Sequence, residues 1–188
     1  VVDPTSIVVT PIGTGQMGDN VRYALTWRDV DDALPATVVG KFPSASEASR
    51  ATAVMLNSYR QELGFYRDLR ADVTIRVPQV YHAGWNDDGH DFVLVMEDVA
   101  PARQGDQLAG CTIADAELVI DQAVGLHAPT WGRGLELAER IDWLTAPSAE
   151  RNEMLMWLFG HTWPGFVERY RDRLSALVTS QFLHGDVL

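Results

Sequence analysis

The stretch IGTGQMGDNVRYALTW, residues 12–27, decides the fold because a strand follows directly after a glycine-rich turn. Gly13, Gly15 and Gly18 form a G-x-G-x-x-G pattern. The residues after it alternate between two faces, and a period of two predicts a strand rather than a helix. One of these faces carries Val21, Tyr23, Leu25 and Trp27. A dinucleotide-binding fingerprint requires a helix directly after its glycines. The stretch therefore predicts a strand–turn–strand unit.

Four other runs in the first half of the chain are predicted strands because they are short and either apolar or alternating. They lie at 7–9, 36–42, 76–83 and 91–96. Pro78 makes the third of them an edge strand, since proline cannot donate to a neighbouring strand. The apolar run FVLVM at its end makes the fourth a central strand.

A helix is predicted over 47–69, with Ser46 as its N-cap and a break at Asn57. Glu62 lies on the packed face of this helix and needs a cation there. Lys41 lies within an apolar strand and must reach either water or an anionic partner. We predict that Lys41 and Glu62 form an ion pair. The alternatives are a lysine on the solvent face and a glutamate paired with an arginine of its own helix.

The pattern becomes helical after Asp98. Thr112 is a predicted N-cap, and Pro164 is expected in the first turn of the last helix. The predicted helices are 113–127, 150–159 and 162–177. Core positions are predicted for apolar side chains of this half, since aromatic residues dominate protein cores: Leu118, Val119, Ala123, Trp131, Trp143, Trp157 and Trp163. The whole pattern predicts an α+β fold, with a domain over 1–97 and a helical domain over 98–188.

Composition limits the classes of partner. The formal net charge of −11 disfavours binding to nucleic acids or anionic membranes. It mildly favours a cationic small molecule. Cys111 is the single cysteine and lacks the neighbouring ligands of a zinc site. Apolar runs are too short to span a bilayer, and no signal peptide is recognised at the start. We therefore expect a cytoplasmic protein.

Six short motifs, in this order, resemble those of the aminoglycoside phosphotransferase family and of the related choline and ecdysteroid kinase-like proteins. They are the glycine pattern, Val38-Val39-Gly40-Lys41, Glu62-Leu63-Gly64-Phe65-Tyr66, Val95-Met96-Glu97-Asp98, Leu126-His127-Ala128 and Leu183-His184-Gly185-Asp186. The resemblance covers essentially the whole chain. It implies a protein-kinase-like fold of two lobes, with an antiparallel N-terminal sheet and a helical C-terminal lobe.

The resemblance also implies a site for ATP or GTP. Lys41 would hold the α- and β-phosphates, Glu62 would fix Lys41, and the glycine turn would cover the phosphates. A lysine is a compact positive charge that suits phosphate oxygens. A hinge beside the purine would offer backbone groups, and its residues here are Met96, Glu97 and Val99.

Asp186 would accept the proton of the acceptor hydroxyl, a role that an ionised aspartate can perform. The implied activity is the Mg²⁺-dependent transfer of the γ-phosphoryl group of ATP to a hydroxyl group of a small molecule. In that family the loop continues to an asparagine, and a later aspartate joins it in binding magnesium. This chain ends at Leu188, before either residue. We therefore assign no metal ligand and expect the chain to be a fragment of a longer protein.

Two other functions stay open at this point. One is a kinase-like nucleotide-binding module without catalytic activity. The other is a dinucleotide-dependent oxidoreductase, which the strand after Gly18 disfavours. A glycine hairpin that binds no ligand would also produce the same glycine pattern.

Overall fold

The computed structural model describes residues 3–13, 15, 17–29, 33–86, 90–106, 108–144 and 148–173. The chain divides into two compact units, residues 1–144 and residues 145–188. The class is α+β, with an antiparallel sheet of five strands and five α-helices among the described residues. The predicted boundary at residue 97 stays a prediction.

The sheet belongs to the first unit and contains the five predicted strands. They are β1 (Ser6–Ile12), β2 (Gly18–Thr26), β3 (Thr37–Pro43), β4 (Val80–Trp85) and β5 (Phe92–Glu97). Their order across the sheet is β1-β2-β3-β5-β4, and all neighbours are antiparallel. As predicted, β4 is an edge strand and β5 lies inside the sheet. However, β4 begins at Val80 and not at residue 76, so Pro78 precedes the strand and is not part of it. The glycine turn joins β1 to β2, with Ile12 opposite Asn20.

The predicted helix over 47–69 is present, and it breaks where the sequence indicated. Asn57 adopts a left-handed conformation with φ of 56°, which asparagine tolerates better than most residues. The first segment is α1 (Glu47–Met55), capped by Ser46 as predicted. The second is α2 (Ser58–Gly64), which continues into a π-helical turn (Phe65–Leu69) and a 3-10 turn (Arg70–Asp72).

The later helices differ in part from the prediction. α3 (Ile113–Thr130) has Thr112 as its N-cap, as predicted, and Thr112 forms a capping box with Asp115. The sequence did not predict α4 (Gly134–Arg140). The two predicted helices at 150–159 and 162–177 are one helix, α5 (Ala149–Tyr170), up to residue 170, and residues 174–177 lie outside the described part.

Pro164 therefore lies inside α5 and not in a first turn. Its ring removes one backbone donor, but its fixed φ is compatible with a helix. Stacked aromatic rings span this position: Trp163 lies 5.2 Å from Phe159 and 5.5 Å from Phe166, between ring centroids. These contacts help to offset the lost hydrogen bond.

Two apolar clusters form the core of the first unit. The larger one joins one face of the sheet to α1 and α2, and its buried members are Val39, Ala53, Tyr59, Leu63, Phe92, Leu94 and Met96. The smaller one joins the π-helical segment to α4 and contains Leu69, Val73, Leu137, Ile141 and Trp143. Burial of such side chains stabilises the fold by about 1.5–3 kcal/mol each.

The prediction of a core position is confirmed for Trp143 and wrong for Trp131, Leu118 and Val119, which are exposed. Contacts of α3 with residues 74–76 involve its second half, where the Gly125 carbonyl accepts from the Thr74 amide at 2.9 Å. Leu118 and Val119 lie in the first half, away from those contacts. Trp157 in the second unit is also exposed, and Trp163 and Ala123 are partly buried. Among the described residues, no helix is long and apolar enough to cross a membrane.

Candidate functional site

The glycine turn brings the chain into close contact with β3. Gly13 has φ of +75°, which disfavours any other residue. A Cβ atom on Gly15 would lie 2.2 Å from the carbonyl oxygen of Gly18. A Cβ atom on Gly18 would lie 3.0 Å from the Phe42 carbonyl oxygen and 3.2 Å from Cε of Lys41. The last contact shows that the Lys41 side chain passes directly beside the turn.

Lys41 and Glu62 form the predicted ion pair. The Lys41 Nζ atom donates to both carboxylate oxygens of Glu62, at 2.6 Å and 2.7 Å. Lys41 reaches α2 because it shares a sheet face with its register partner Leu94, which is fully buried in the cluster with that helix. The two side chains are 24% and 32% exposed, so water and a ligand can reach the pair. Both alternatives for these residues are therefore wrong.

Lys41 is the only lysine in the chain, and the other 14 of the 15 lysine and arginine residues are arginines. Its ammonium group has three donors and no acceptor. An ammonium group held by one carboxylate can still turn a donor towards a second anion. The single side-chain primary amine of the sequence therefore lies where the glycine turn meets α2.

Helix α2 also holds the glycine turn through Tyr59, a residue that sequence reasoning missed. The Tyr59 hydroxyl donates to the Met17 carbonyl oxygen at 2.5 Å. Asp19, two residues beyond Met17, accepts from the Ala45 amide at 2.9 Å. The aromatic ring of Tyr59 indicates a packed position, and its hydroxyl indicates that a hydrogen-bond partner is needed when it is buried. Nothing in the sequence indicates that this partner is Met17.

The three residues predicted for the hinge differ in the groups that they could present to a ligand. Met96 is buried in the larger cluster. The Glu97 carboxylate accepts from the Gln79 amide at 2.9 Å and from Arg76 at 2.7 Å, which together hold its pKa below the usual range. Val99 is exposed, and within the described part of the chain its N–H group donates to no protein acceptor. Among these three, Val99 is the one whose backbone donor can serve a ligand.

Asp98 lies within the predicted hinge segment, Met96 to Val99, but the sequence assigned no role to its side chain. Its carboxylate is 4% exposed and accepts two hydrogen bonds from Arg22 of β2, at 2.6 Å and 3.0 Å. It also accepts from the Ala100 amide at 3.1 Å. Arg22 first, then Ala100 and the Thr37 hydroxyl, hold the pKa of Asp98 below its usual range, although burial opposes them. The ion pair fixes the segment after β5 against β2.

The presence of glycine at position 64, two residues after Glu62, is accounted for by its contact with Trp143. A Cβ atom on Gly64 would lie 2.3 Å from Nε1 of Trp143. The same Nε1 donates to Asp68 at 2.6 Å, and Arg67 pairs with that carboxylate. The indole thus lies so close to the backbone of Gly64 that a larger residue would not fit there. This contact packs Trp143 against the end of the helix that carries Glu62.

A surface depression of about 320 Å³ lies along the glycine turn. It is lined by Pro11, Ile12, Gly13, Gly15, Gly18, Asp19, Asn20 and Val21. The amide nitrogen of Asn20 would be 3.5 Å from a Cβ atom on Gly15, so this side chain lies against the turn. Lys41 does not line the depression, but it is the register partner of Asn20 across β2 and β3.

The predicted catalytic residue, Asp186, and the rest of its motif lie outside the described residues. In the part that the structure describes, no group of histidine, cysteine or acidic side chains could hold a metal ion. The structure thus brings Gly13, Gly15, Gly18, Lys41 and Glu62 together, and it places Met96, Glu97 and Val99 at the end of β5.

No family model, curated protein or solved structure matches the chain.

Proposed function

We propose that this chain carries the nucleotide site of an ATP-dependent phosphotransferase that moves the γ-phosphoryl group to a hydroxyl group of a small molecule. The proposed architecture is a kinase-like fold of two lobes. The observation that carries the proposal is the Lys41–Glu62 ion pair, at 2.6 Å and 2.7 Å, beside a glycine turn between two antiparallel strands. GTP is the alternative donor, and the net charge of −11 favours an acceptor that is cationic.

The chemistry of phosphoryl transfer explains why such an arrangement is useful. The reaction passes through a loose, charge-rich state, so the protein contributes mainly position and electrostatics. Lys41 would supply positive charge to the α- and β-phosphates while Glu62 limits its movement. At its glycine positions the turn would let backbone amides approach the phosphates closely, since glycine has no side chain to stand between them.

In this proposal Asp186 is the general base that accepts the proton of the acceptor hydroxyl group. As the acceptor oxygen bonds to the γ-phosphorus, its O–H bond breaks and the proton passes to the Asp186 carboxylate. The bond from the γ-phosphorus to the β–γ bridging oxygen breaks, and the nucleoside diphosphate leaves. Mg²⁺ would neutralise charge on the β- and γ-oxygens in such a reaction. Since the described residues contain no metal-binding cluster, we assign it no ligand.

The dinucleotide-dependent oxidoreductase gains no support from the fold, because β2 begins at Gly18 itself. A dinucleotide fingerprint needs a helix at that place, whose N-terminus meets the pyrophosphate.

The single lysine allows a direct test of nucleotide binding. Lys41 is the single lysine of this sequence, so an amine-reactive ester has one side-chain amine to modify in this stretch. We expect MgATP or MgGTP to slow acylation of Lys41, measured by mass spectrometry, while the α-amino group reacts at an unchanged rate. Protection by NADH in place of MgATP would overturn the proposal in favour of an oxidoreductase.

A second assay separates an enzyme from an inactive binding module. ATP labelled in its γ-phosphoryl group is incubated with the full-length protein and a panel of small alcohols, sugars and amino alcohols. The proposal expects labelled phosphate ester from at least one member. Binding of MgATP with no transfer to any member of a broad panel would favour the inactive module.

A further inference from the structure

We propose that Tyr59 is a positioning residue that joins the glycine turn to α2, so that the turn and the Lys41–Glu62 pair are held as one unit. This inference rests on the proposed nucleotide site. In this role the buried Tyr59 side chain does not contact the phosphates itself. It keeps the glycine turn at the correct distance from Lys41.

The contacts of Tyr59 reach two other segments. Its side chain is almost fully buried, at 3% exposure for the residue. The hydroxyl donates to the Met17 carbonyl oxygen at 2.5 Å and accepts from the Ser44 amide at 3.3 Å. One hydroxyl thus links the glycine turn, the residue after β3 and α2. The neighbouring Ser58 hydroxyl lies 3.7 Å from the Met17 sulfur atom, at the same point of contact.

The spacing along α2 explains why these contacts matter to Lys41. Tyr59 and Glu62 are three residues apart, so they lie on neighbouring positions of one helix face. Tyr59 holds the turn, and Glu62 holds Lys41. Asn57 separates α2 from α1 with its left-handed conformation. A shift of this short helix would therefore move both contacts together.

The ring and the hydroxyl of Tyr59 have separable functions. The ring packs against Phe92, with centroids 4.8 Å apart, within the larger cluster. Tyr59→Phe keeps this packing and removes only the hydroxyl. The Met17 carbonyl oxygen and the Ser44 amide then lose this shared partner, and the turn is free to move relative to Lys41.

The consequence should be specific to phosphates, because the turn covers phosphates and the hinge holds the purine. Loss of hydrogen bonds of this kind is expected to weaken MgATP binding by about three- to tenfold. Adenosine, which has no phosphates, should bind to the variant as it does to the unchanged protein. A purely structural role for Tyr59 would weaken both ligands together.

The experiment measures MgATP and adenosine affinities by competition calorimetry for the unchanged full-length protein, Tyr59→Phe and the control Tyr81→Phe. Tyr81 is exposed on the edge strand β4, so its variant makes the same chemical change away from the turn. We expect a raised ratio of the MgATP to the adenosine dissociation constant in Tyr59→Phe alone. Circular dichroism and thermal unfolding check that each variant is folded.

The outcomes distinguish this inference from the proposed function. If the unchanged protein binds MgATP and the ratio in Tyr59→Phe is unaltered, only the inference is overturned. An equal loss of both ligands, or a variant that does not fold, assigns Tyr59 a structural role and also overturns it. If the unchanged protein binds no nucleotide at all, the proposed function fails, and the inference fails with it.

Discussion

Arg22 and Asp98, 76 positions apart in the sequence, form two parallel hydrogen bonds, Nε to Oδ2 at 2.6 Å and Nη2 to Oδ1 at 3.0 Å. The guanidinium group is partly exposed, whereas the carboxylate is buried. A bidentate pair of this kind fixes orientation as well as distance. It therefore holds the segment after β5, where the proposed hinge lies, in a defined position against the strand that follows the glycine turn.

The ion pair between Arg22 and Asp98 predicts that the free energy of unfolding depends on pH. Arg22 above all holds the pKa of Asp98 below its usual range, so folding favours the ionised form. The resulting stabilisation is present above the unfolded-state pKa of about 4 and is lost as the pH falls through the lower folded-state pKa. Asp98→Asn should destabilise the protein at pH 7 and reduce the further loss of stability between about pH 4 and pH 2.

Urea unfolding over that pH range measures the effect. Asp142→Asn is the matched control, since Asp142 pairs with Arg60 at 2.6 Å but is 65% exposed. Exposed ion pairs of this type contribute little to stability. Equal pH profiles for Asp98→Asn and the unchanged protein would contradict the prediction.

Lys41→Ala should weaken MgATP binding in the full-length protein. Losing a charged contact to phosphate costs about 1.5–3 kcal/mol, which corresponds to about ten- to hundredfold in affinity. Calorimetry measures the change, and Arg60→Ala serves as the control because it removes an exposed cation elsewhere on α2. Unchanged affinity and turnover in Lys41→Ala would exclude the proposed role of this residue.

Gly15→Ala should disrupt the glycine turn. The added Cβ atom would meet the Gly18 carbonyl oxygen at 2.2 Å, and a backbone atom can give way only if the turn itself moves. Overpacking of this kind costs about 1–3 kcal/mol, and we expect a loss of MgATP affinity of about tenfold.

Gly105→Ala is the control for that variant, because a Cβ atom there meets nothing within 4 Å. The prediction fails if both alanine variants bind MgATP with the affinity of the unchanged protein.

Asp186→Asn should separate binding from catalysis. Asparagine can still cap a turn, so the fold and MgATP binding should be retained. It cannot accept the proton of the acceptor hydroxyl, and phosphoryl transfer should slow by about 10²–10⁴-fold. Single-turnover kinetics with an identified acceptor measure this step, and near-normal transfer would exclude Asp186 as the base.

Short-range patterns in the sequence determined much of the first unit. The alternation after Gly18, the proline before β4 and the serine before α1 each act within a few residues, so their consequences could be predicted locally. The Lys41–Glu62 pair was also predictable, because two opposite charges on neighbouring apolar elements have few other partners.

The tertiary structure alone decided which distant segments meet. Strand β3 pairs with β5 rather than with β4. This strand order brings Asp98, directly after β5, to Arg22 on β2. Register along the strands sets such contacts, and a sequence records it only through hydrophobic patterns that many pairings would satisfy.

The contacts Tyr59–Met17 and Trp143–Asp68 likewise join segments that are 42 and 75 positions apart. The aromatic rings of tyrosine and tryptophan indicate that these side chains are buried, but they do not indicate which group the hydroxyl or the indole N–H will bind. That partner is fixed only when the distant segments pack together, because a hydrogen bond needs a specific distance and angle that packing as a whole must provide.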